Sequence, residues 1–390
     1  MQGTVSLSGV FLDGEDLYWT ELRPAEEGRV VIVRRTAGGE IADVTPPGFN
    51  ARTRVHEYGG GAFTADQGTV WFSNFADQRL YRQDRGADPR PISDAVDRRY
   101  ADAVVDRRRG LLFAVREDHT DSSREAVNTI VAIGLDGERE AVVVEGNDFY
   151  SDPRLSPDGS KLCWLAWNHP HLPWDGTELW VGTVAEDGSV GSSRIVAGGG
   201  EVSIFQPSWS PDGVLHYVSD ESGWWNLYRL EEAGRRNLAP LSAEFGVPQW
   251  VFRQTTYAFA AEGRIACSWI DLGVGGFGVL EQGGVKSIEN GYSSFSQIVA
   301  GGDDAFFVAG SATAPPAILR QPLDGDAPEV LRTSIDVPVD PDWFSVPPTL
   351  EFPTEGDRKP YAFYYPPFHP AFEGPGAWHA PQRDPSPAGQ

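Results

Sequence analysis

Basic residues, sulfur and long apolar runs are all scarce in this chain of 390 residues. Lys and Arg number 32 against 56 Asp and Glu, a formal charge of −24. A protein that tracks a phosphate backbone needs a basic face, so nucleic acid is not an expected partner. The acidity suits cationic ligands, or simply solubility. Cys163 and Cys267 are the only cysteines. Two in a chain of this length make no disulfide framework, and both lie in apolar strand-like runs, so buried free thiols are expected. No apolar run approaches the roughly 18 residues needed to span a bilayer. The opening Met1-Gln2-Gly3-Thr4-Val5-Ser6 has no basic region followed by an apolar stretch, so no signal peptide is expected. The expected setting is soluble, reducing and cytoplasmic, with no membrane partner.

Turn formers, in contrast, are abundant. There are 44 Gly and 30 Pro, almost a fifth of the chain, which suits many short strands and argues against long helices. A hydrophobic content of 40% with 12% aromatics is enough for a substantial core.

The tetrapeptide Ser-Pro-Asp-Gly occurs at 156–159 and again at 210–213, 54 residues later, each time between apolar runs. Pro sets the first corner of the turn, Asp tolerates the second and Gly takes the left-handed closing position. Matching turns at a period near 50 indicate a repeated supersecondary unit. The same pattern, an apolar run, a short turn and a second run, recurs along the chain. Leu17-Tyr18-Trp19 precedes Val30-Val31-Ile32, and Val70-Trp71-Phe72 precedes Leu80-Tyr81. Leu112-Phe113-Ala114 precedes Ile130-Val131-Ala132, and Cys163-Trp164-Leu165 precedes Leu179-Trp180-Val181. Leu215-His216-Tyr217 precedes Asn226-Leu227-Tyr228, Ala266-Cys267-Ser268 precedes Phe277-Gly278-Val279, and Phe306-Phe307-Val308 precedes Ile318-Leu319.

Seven such units fit between residues 1 and 335. Each has room for an inner strand ahead of its central pair, such as Gly60-Gly61-Ala62-Phe63-Thr64 or Ser296-Gln297-Ile298-Val299-Ala300. Four short antiparallel strands repeated about an axis make a β-propeller, whose blades bury their faces on one another. The predicted class is all-β, with a seven-bladed propeller over 1–335. A Pro- and Asp-rich connector follows, with strand-like runs at Thr349-Leu350-Glu351 and Tyr361-Ala362-Phe363, over 336–372. Residues 373–390 show no periodicity and are expected to be a disordered tail.

The densest polar cluster is Arg52-Thr53-Arg54-Val55-His56-Glu57-Tyr58-Gly59-Gly60-Gly61, at the entry to the second unit. Its glycines permit close backbone approach where blades converge. Arg52, Arg54, His56, Glu57 and Tyr58 have the chemistry to hold an anion, a carboxylate or an amine; an internal Arg–Glu pair with a satisfied His56 is the structural alternative. His169-Pro170-His171 is a weak candidate for a metal pair, because no third ligand is evident, and no metal or cofactor is expected. His216 alternates within a strand and is expected to pack, and His119 is expected on a polar loop. Glu117-Asp118 and Asp220-Glu221 are adjacent acids that point apart on a strand, not acid/base pairs. Trp224 and Trp225 are expected to split, one into the blade and one outward.

The Arg-x-Arg-Val-His-Glu-Tyr-Gly-Gly-Gly cluster, the paired Ser-Pro-Asp-Gly turns, Asp220-Glu221-Ser222-Gly223-Trp224-Trp225-Asn226 and Tyr364-Tyr365-Pro366-Pro367 together resemble the prolyl oligopeptidase (S9) family of serine peptidases, over about 5–373. The resemblance is to its dipeptidyl aminopeptidase and acylaminoacyl-peptidase-like branch. It implies a propeller that restricts entry to peptides, followed by an α/β-hydrolase domain carrying a Ser-Asp-His triad. It also implies that propeller acids hold a substrate's amino terminus, with Glu57 and Glu221 as candidates.

No Gly-x-Ser-x-Gly elbow or His-Gly-Gly-Pro segment occurs in the sequence. No catalytic residue is therefore assigned, and the chain as given is not expected to hydrolyse peptides. The hydrolase domain is expected to be truncated after its first strands. The Pro-, Ala- and Gly-rich stretch beyond Glu373 suggests a frameshift there. The expected role is a substrate-gating propeller with a missing hydrolase domain as its partner. The alternative is a stand-alone propeller that binds a peptide or a protein.

Overall fold

The computed structural model describes residues 3–336, 343–357 and 360–368. Seven antiparallel four-stranded sheets follow one another, at residues 6–43, 63–91, 98–144, 149–199, 204–237, 257–287 and 294–333. Each is built from four consecutive strands, and neighbouring sheets pack face to face as the blades of a propeller. A short hairpin, Thr349–Glu351 paired with Tyr361–Phe363, follows the ring. The sequence-based expectation of seven blades holds. The tail beyond Phe368, with His369 and His379, lies outside the described residues.

Sequence pattern and position in the blade agree. A second strand is covered on both faces by neighbouring blades, so Leu111–Asp118 opens with five apolar residues in a row and is buried up to Glu117. The fourth strand is the outer edge, and Glu140–Val144 is half-buried to exposed. The two Ser-Pro-Asp-Gly turns join first to second strands in blades 4 and 5. In both, the glycine N–H donates to the serine carbonyl at 2.8 Å, with φ +70° at Gly159 and +80° at Gly213. Cys163 and Cys267 are fully buried free thiols, His216 is buried against Phe259, Trp225 packs on Phe205 and Trp224 is exposed, as expected.

One expectation needs correction. The inner strand of blade 2 is Phe63–Asp66, and Gly60 and Gly61 lie ahead of it. Both glycines have positive φ, which breaks the strand, and Gly60 instead forms an isolated parallel bridge with Phe252.

The inner strands carry a repeated irregularity. Gly9, Asp102, Asp152, Gln206 and Gln297 all adopt left-handed φ between +48° and +63°, each at a shift of pairing register. Such bulges twist a strand and free its backbone groups. Here the backbone or side chain of the bulged residue makes contacts beyond its own sheet. Asp102 N donates to Gly61 O at 2.8 Å, Asp152 N to Asp102 Oδ2 at 2.8 Å and Thr256 N to Gln206 Oε1 at 2.7 Å.

Blade 7 meets blade 1 without exchanging a strand. The seam is closed by Leu7, Val10, Trp19 and Val33 against Val308 and Ile318, and by Val5 N donating to Ser334 O at 2.8 Å. Arg332 also donates to the buried Glu21 carboxylate at 2.8 Å.

Candidate binding pocket

In a four-stranded meander, the loops between blades and the loops joining second to third strands emerge on the same face. Segments 44–62, 119–126, 168–176 and 238–256 therefore share one face of the ring. The chain enters blade 1 and leaves blade 7 on that face as well.

The 238–256 segment, between blades 5 and 6, does not stay on its own side. Phe252 N donates to Gly59 O at 3.0 Å, and Gln249 donates to Asp152. Arg253 donates from Nε to Asp102 Oδ1 at 2.9 Å and also bonds Ala103 O, with its guanidinium over the Phe11 ring. These partners sit on the inner side of blades 1 to 4. Residues 249–253 therefore cross the axis as a strut and occupy the central channel. Gly60 is required beneath it, because a Cβ there would lie 2.6 Å from Phe252 O and 2.7 Å from Phe252 N.

Charge in the channel is balanced by Arg154, which bonds Asp102 Oδ1 and Asp152 Oδ1, both at 2.8 Å. Two carboxylates thus face two guanidiniums, the arrangement that buried charges require. Burial still pushes the Asp152 carboxyl above its usual value, against the lowering effect of Arg154.

Beside the strut, over blades 2 to 4, lies a cavity of about 550 Å³. Its base is aromatic. Phe149 stacks on Trp167 at 5.5 Å, and the His56 ring lies 4.9 Å from Phe252 and 5.2 Å from Phe149. Enclosure among these rings pushes the His56 imidazole down to about 4, so it is neutral near pH 7. Its mouth is formed by Tyr58, Trp174 and Trp250, one from each of three loops.

One acidic group also reaches the mouth. His56 and Glu57 take left-handed φ of +53° and +65° in a tight coil closed by Gly59 N donating to Val55 O at 3.0 Å. The coil turns His56 inward and leaves the Glu57 side chain 73% exposed. Arg99 Nη1 donates to Glu57 Oε1 at 2.9 Å and to Glu117 Oε2 at 3.2 Å. The Arg99 hydrogen bond holds the Glu57 carboxyl below its usual value. Glu117 is buried, accepts from His56 N at 3.1 Å and pairs with His119 Nε2 at 2.8 Å. Glu57 and Glu117 thus share the Arg99 guanidinium, and the charge of Arg54 also acts on Glu57.

Of the residues singled out by sequence, the cavity collects His56, Glu57 and Tyr58. Arg52 and Arg54 lie outside it, both with their guanidiniums 4.5 Å from the centre of the Phe75 ring. Glu221 is in blade 5, paired with Arg235 at 2.8 Å, and is not brought to Glu57. His169 and His171 line the cavity wall, with His169 against Phe149 at 5.0 Å. Among the described residues no group of three or more metal-ligating side chains occurs.

Sequence reasoning missed Glu117 as a ligand of the coil, and it missed Trp174 and Trp250. A signal for the last was present: Val247-Pro248-Gln249-Trp250-Val251-Phe252 is too apolar for an ordinary surface loop. A larger cavity, about 1090 Å³, lies between blades 6, 7 and 1, the segment joining blades 5 and 6, and the hairpin. Its one charged lining residue, Glu244, accepts from Trp225 N at 2.8 Å, and its other polar lining side chains are mostly serines and threonines.

No protein-family model matches the chain, and no curated protein does. Solved structures do. The fold is that of the propeller portion of the prolyl oligopeptidase family of serine peptidases. In particular, the chain is similar to puromycin hydrolase, at 32% identity and TM-score 0.87 over 95% of this chain and 60% of that one. It is similar to the same degree to a puromycin-hydrolyzing peptidase of Mycobacterium tuberculosis, with 32% identity, TM-score 0.87, 96% of this chain and 61% of that one. A prolyl endopeptidase, at 16% identity and TM-score 0.68 over 93% of this chain and 54% of that one, shares the fold alone. The chain thus spans about three fifths of the length of the first two. Among the described residues no helix is long and apolar enough to cross a membrane.

Proposed function

We propose that this propeller is the substrate-admitting part of a cytoplasmic serine peptidase of the dipeptidyl aminopeptidase and acylaminoacyl-peptidase-like branch, acting on short peptides. On this reading Glu57 holds the free amino terminus of the peptide. The nucleophile, base and oxyanion donors are supplied by a hydrolase domain on the face where the chain enters and leaves the ring. The observation that carries the proposal is the exposed carboxylate of Glu57, ionised beside Arg99, at the mouth of an aromatic cavity on that same face. An ammonium group placed there gains a charge-assisted hydrogen bond to the carboxylate.

Calorimetric titration of the chain with alanyl-alanine amide and with its N-acetyl form tests this. The free amine is expected to bind at least about tenfold more tightly, and Glu57→Gln to remove the difference, a step of about 1.4 kcal/mol. Equal binding of the two peptides would refute it.

A second reading, a stand-alone binding propeller, is favoured by one observation: every residue lining the cavity comes from the propeller itself. Hydrolysis on adding the hydrolase portion of a similar peptidase would decide for the first reading. Binding unaffected by that portion, without turnover, would decide for the second.

A further inference from the structure

Arg52 and Arg54 stand just ahead of the coil that carries Glu57, and the cavity uses neither. Burial alternates along this stretch: Ala51, Thr53 and Val55 are buried, while the two arginines are exposed. Side chains two apart then project to one side. The stretch is latched to the loop between the second and third strands of blade 2. Phe75 N donates to Asn50 O at 2.8 Å, Asn50 N to Asn74 Oδ1 at 3.1 Å and Arg54 N to Gln78 Oε1 at 2.8 Å. Both guanidiniums lie 4.5 Å from the centre of the Phe75 ring on that loop, so they are no more than twice that distance apart. Each of the two segments carries one acid, and both acids are engaged elsewhere. Asp77 accepts from Asn74 Nδ2 at 2.9 Å, Arg79 N at 3.3 Å and Tyr81 OH at 2.6 Å, and Glu57 accepts from Arg99. Among the described residues neither Arg52 nor Arg54 has a carboxylate partner. Arg99, Arg154 and Arg253, in contrast, each bond a carboxylate.

We propose that Arg52 and Arg54, held on Phe75, form an oxyanion site that takes a carboxylate or phosphate group on the face of the ring that also carries the cavity. A chain of net charge −24 repels anions in general, so two unpaired guanidiniums kept together are a local exception. Stacking on an aromatic face holds a guanidinium in place and leaves its N–H edge free. Two such edges match the paired oxygens of a carboxylate or phosphate. The site stands without the amine anchor, but the two are coupled. After that of Arg99, the charge of Arg54 acts on the Glu57 carboxylate. An anion on Arg54 offsets that charge and makes Glu57 a better holder of an ammonium group. By reciprocity, an amine at Glu57 favours the anion.

The test titrates inorganic phosphate into the intact chain by calorimetry at low ionic strength, where screening is weak. One saturable site is expected, weakened about fivefold or more by Arg52→Gln and by Arg54→Gln, the loss of a charge-assisted hydrogen bond. Both side chains are exposed, so both variants should melt as the unmodified protein does. Glu57→Gln removes the proposed amine anchor and a nearby negative charge, so it should leave phosphate binding intact or tighten it. The two proposals can therefore fail separately. Alanyl-alanine and its amide distinguish the source of the anion. Tighter binding of the free acid, lost in the Arg52→Gln, Arg54→Gln double variant, identifies the carboxylate of the same peptide. Equal binding of acid and amide, with phosphate still bound, identifies a separate small anion. Absence of saturable phosphate binding together with equal affinity for acid and amide overturns the site. Phosphate binding, or a preference for the free acid, that both substitutions leave unmoved overturns it as well. Loss of phosphate binding in Glu57→Gln alone places the anion elsewhere and does the same.

Discussion

Arg253, in the segment between blades 5 and 6, places its Nε 2.9 Å from Oδ1 of Asp102 on the inner strand of blade 3. This contact spans 151 positions of sequence and the width of the channel. Its partners are the inner strands nearest the axis, so the strut braces the ring and bars its centre at once. A ring closed between blades 7 and 1 without a shared strand has reason to be braced across its middle. The strut also means that a ligand reaches the aromatic cavity from the face rather than along the axis.

Replacing Arg253 by Met is expected to destabilise the fold by about 3 kcal/mol. It leaves Asp102, fully buried, with only one of its two guanidinium partners. Urea unfolding measures this. An Asp102→Asn, Arg253→Met double-mutant cycle should show strong coupling, and additive effects would mean that the contact contributes nothing of its own.

Gly60→Ala is expected to cost at least about 2 kcal/mol and to weaken amine binding. The new methyl meets the Phe252 backbone, and φ at Gly60 is +88°. By contrast, Gly213→Ala meets open space and suffers only from its backbone angle, so it should leave binding unchanged. Thermal melting and calorimetry on the two variants separate clash from backbone strain.

His56 makes stability depend on acid. Its imidazole is pushed from about 6.5 to about 4 by burial, so the unfolded chain takes up a proton in this range and the folded one does not. Stability from this group is complete above about pH 6.5 and is lost as pH falls toward 4, by roughly 3 kcal/mol in total. His56→Phe should flatten the pH dependence of the urea midpoint over that interval. An unchanged slope would show that other groups carry it.

Cys163 and Cys267 should resist alkylation in the native protein at pH 8. Both are fully buried, and burial pushes each thiol up to about 12, so almost no thiolate is present or reachable. Mass spectrometry after iodoacetamide should show no adduct before unfolding and two afterwards. Rapid labelling of either thiol in native buffer would contradict this burial.

Much of this protein is legible in the sequence because the blade is a local unit. Its strands are neighbours in the chain, its turns need Gly at fixed places, and its apolar runs must alternate or fill according to how many faces they bury. Ser-Pro-Asp-Gly at 156 and 210 therefore revealed the repeat, and the Arg52 to Gly61 cluster marked the edge of the site. What the sequence could not determine is everything set across the axis. Arg253 reaches Asp102, and Trp250 reaches Tyr58, only because seven blades close into a ring and bring the 238–256 segment over its centre. Glu57 and Glu221, alike as acids in sequence, are separated for the same reason: one lies at the cavity mouth, the other is paired with Arg235 in blade 5. Local pattern determines blades, because each blade's hydrogen bonds close within some 50 residues. The site depends on contacts from 42 positions apart, as between Glu57 and Arg99, to 151, as between Asp102 and Arg253, which no local period encodes.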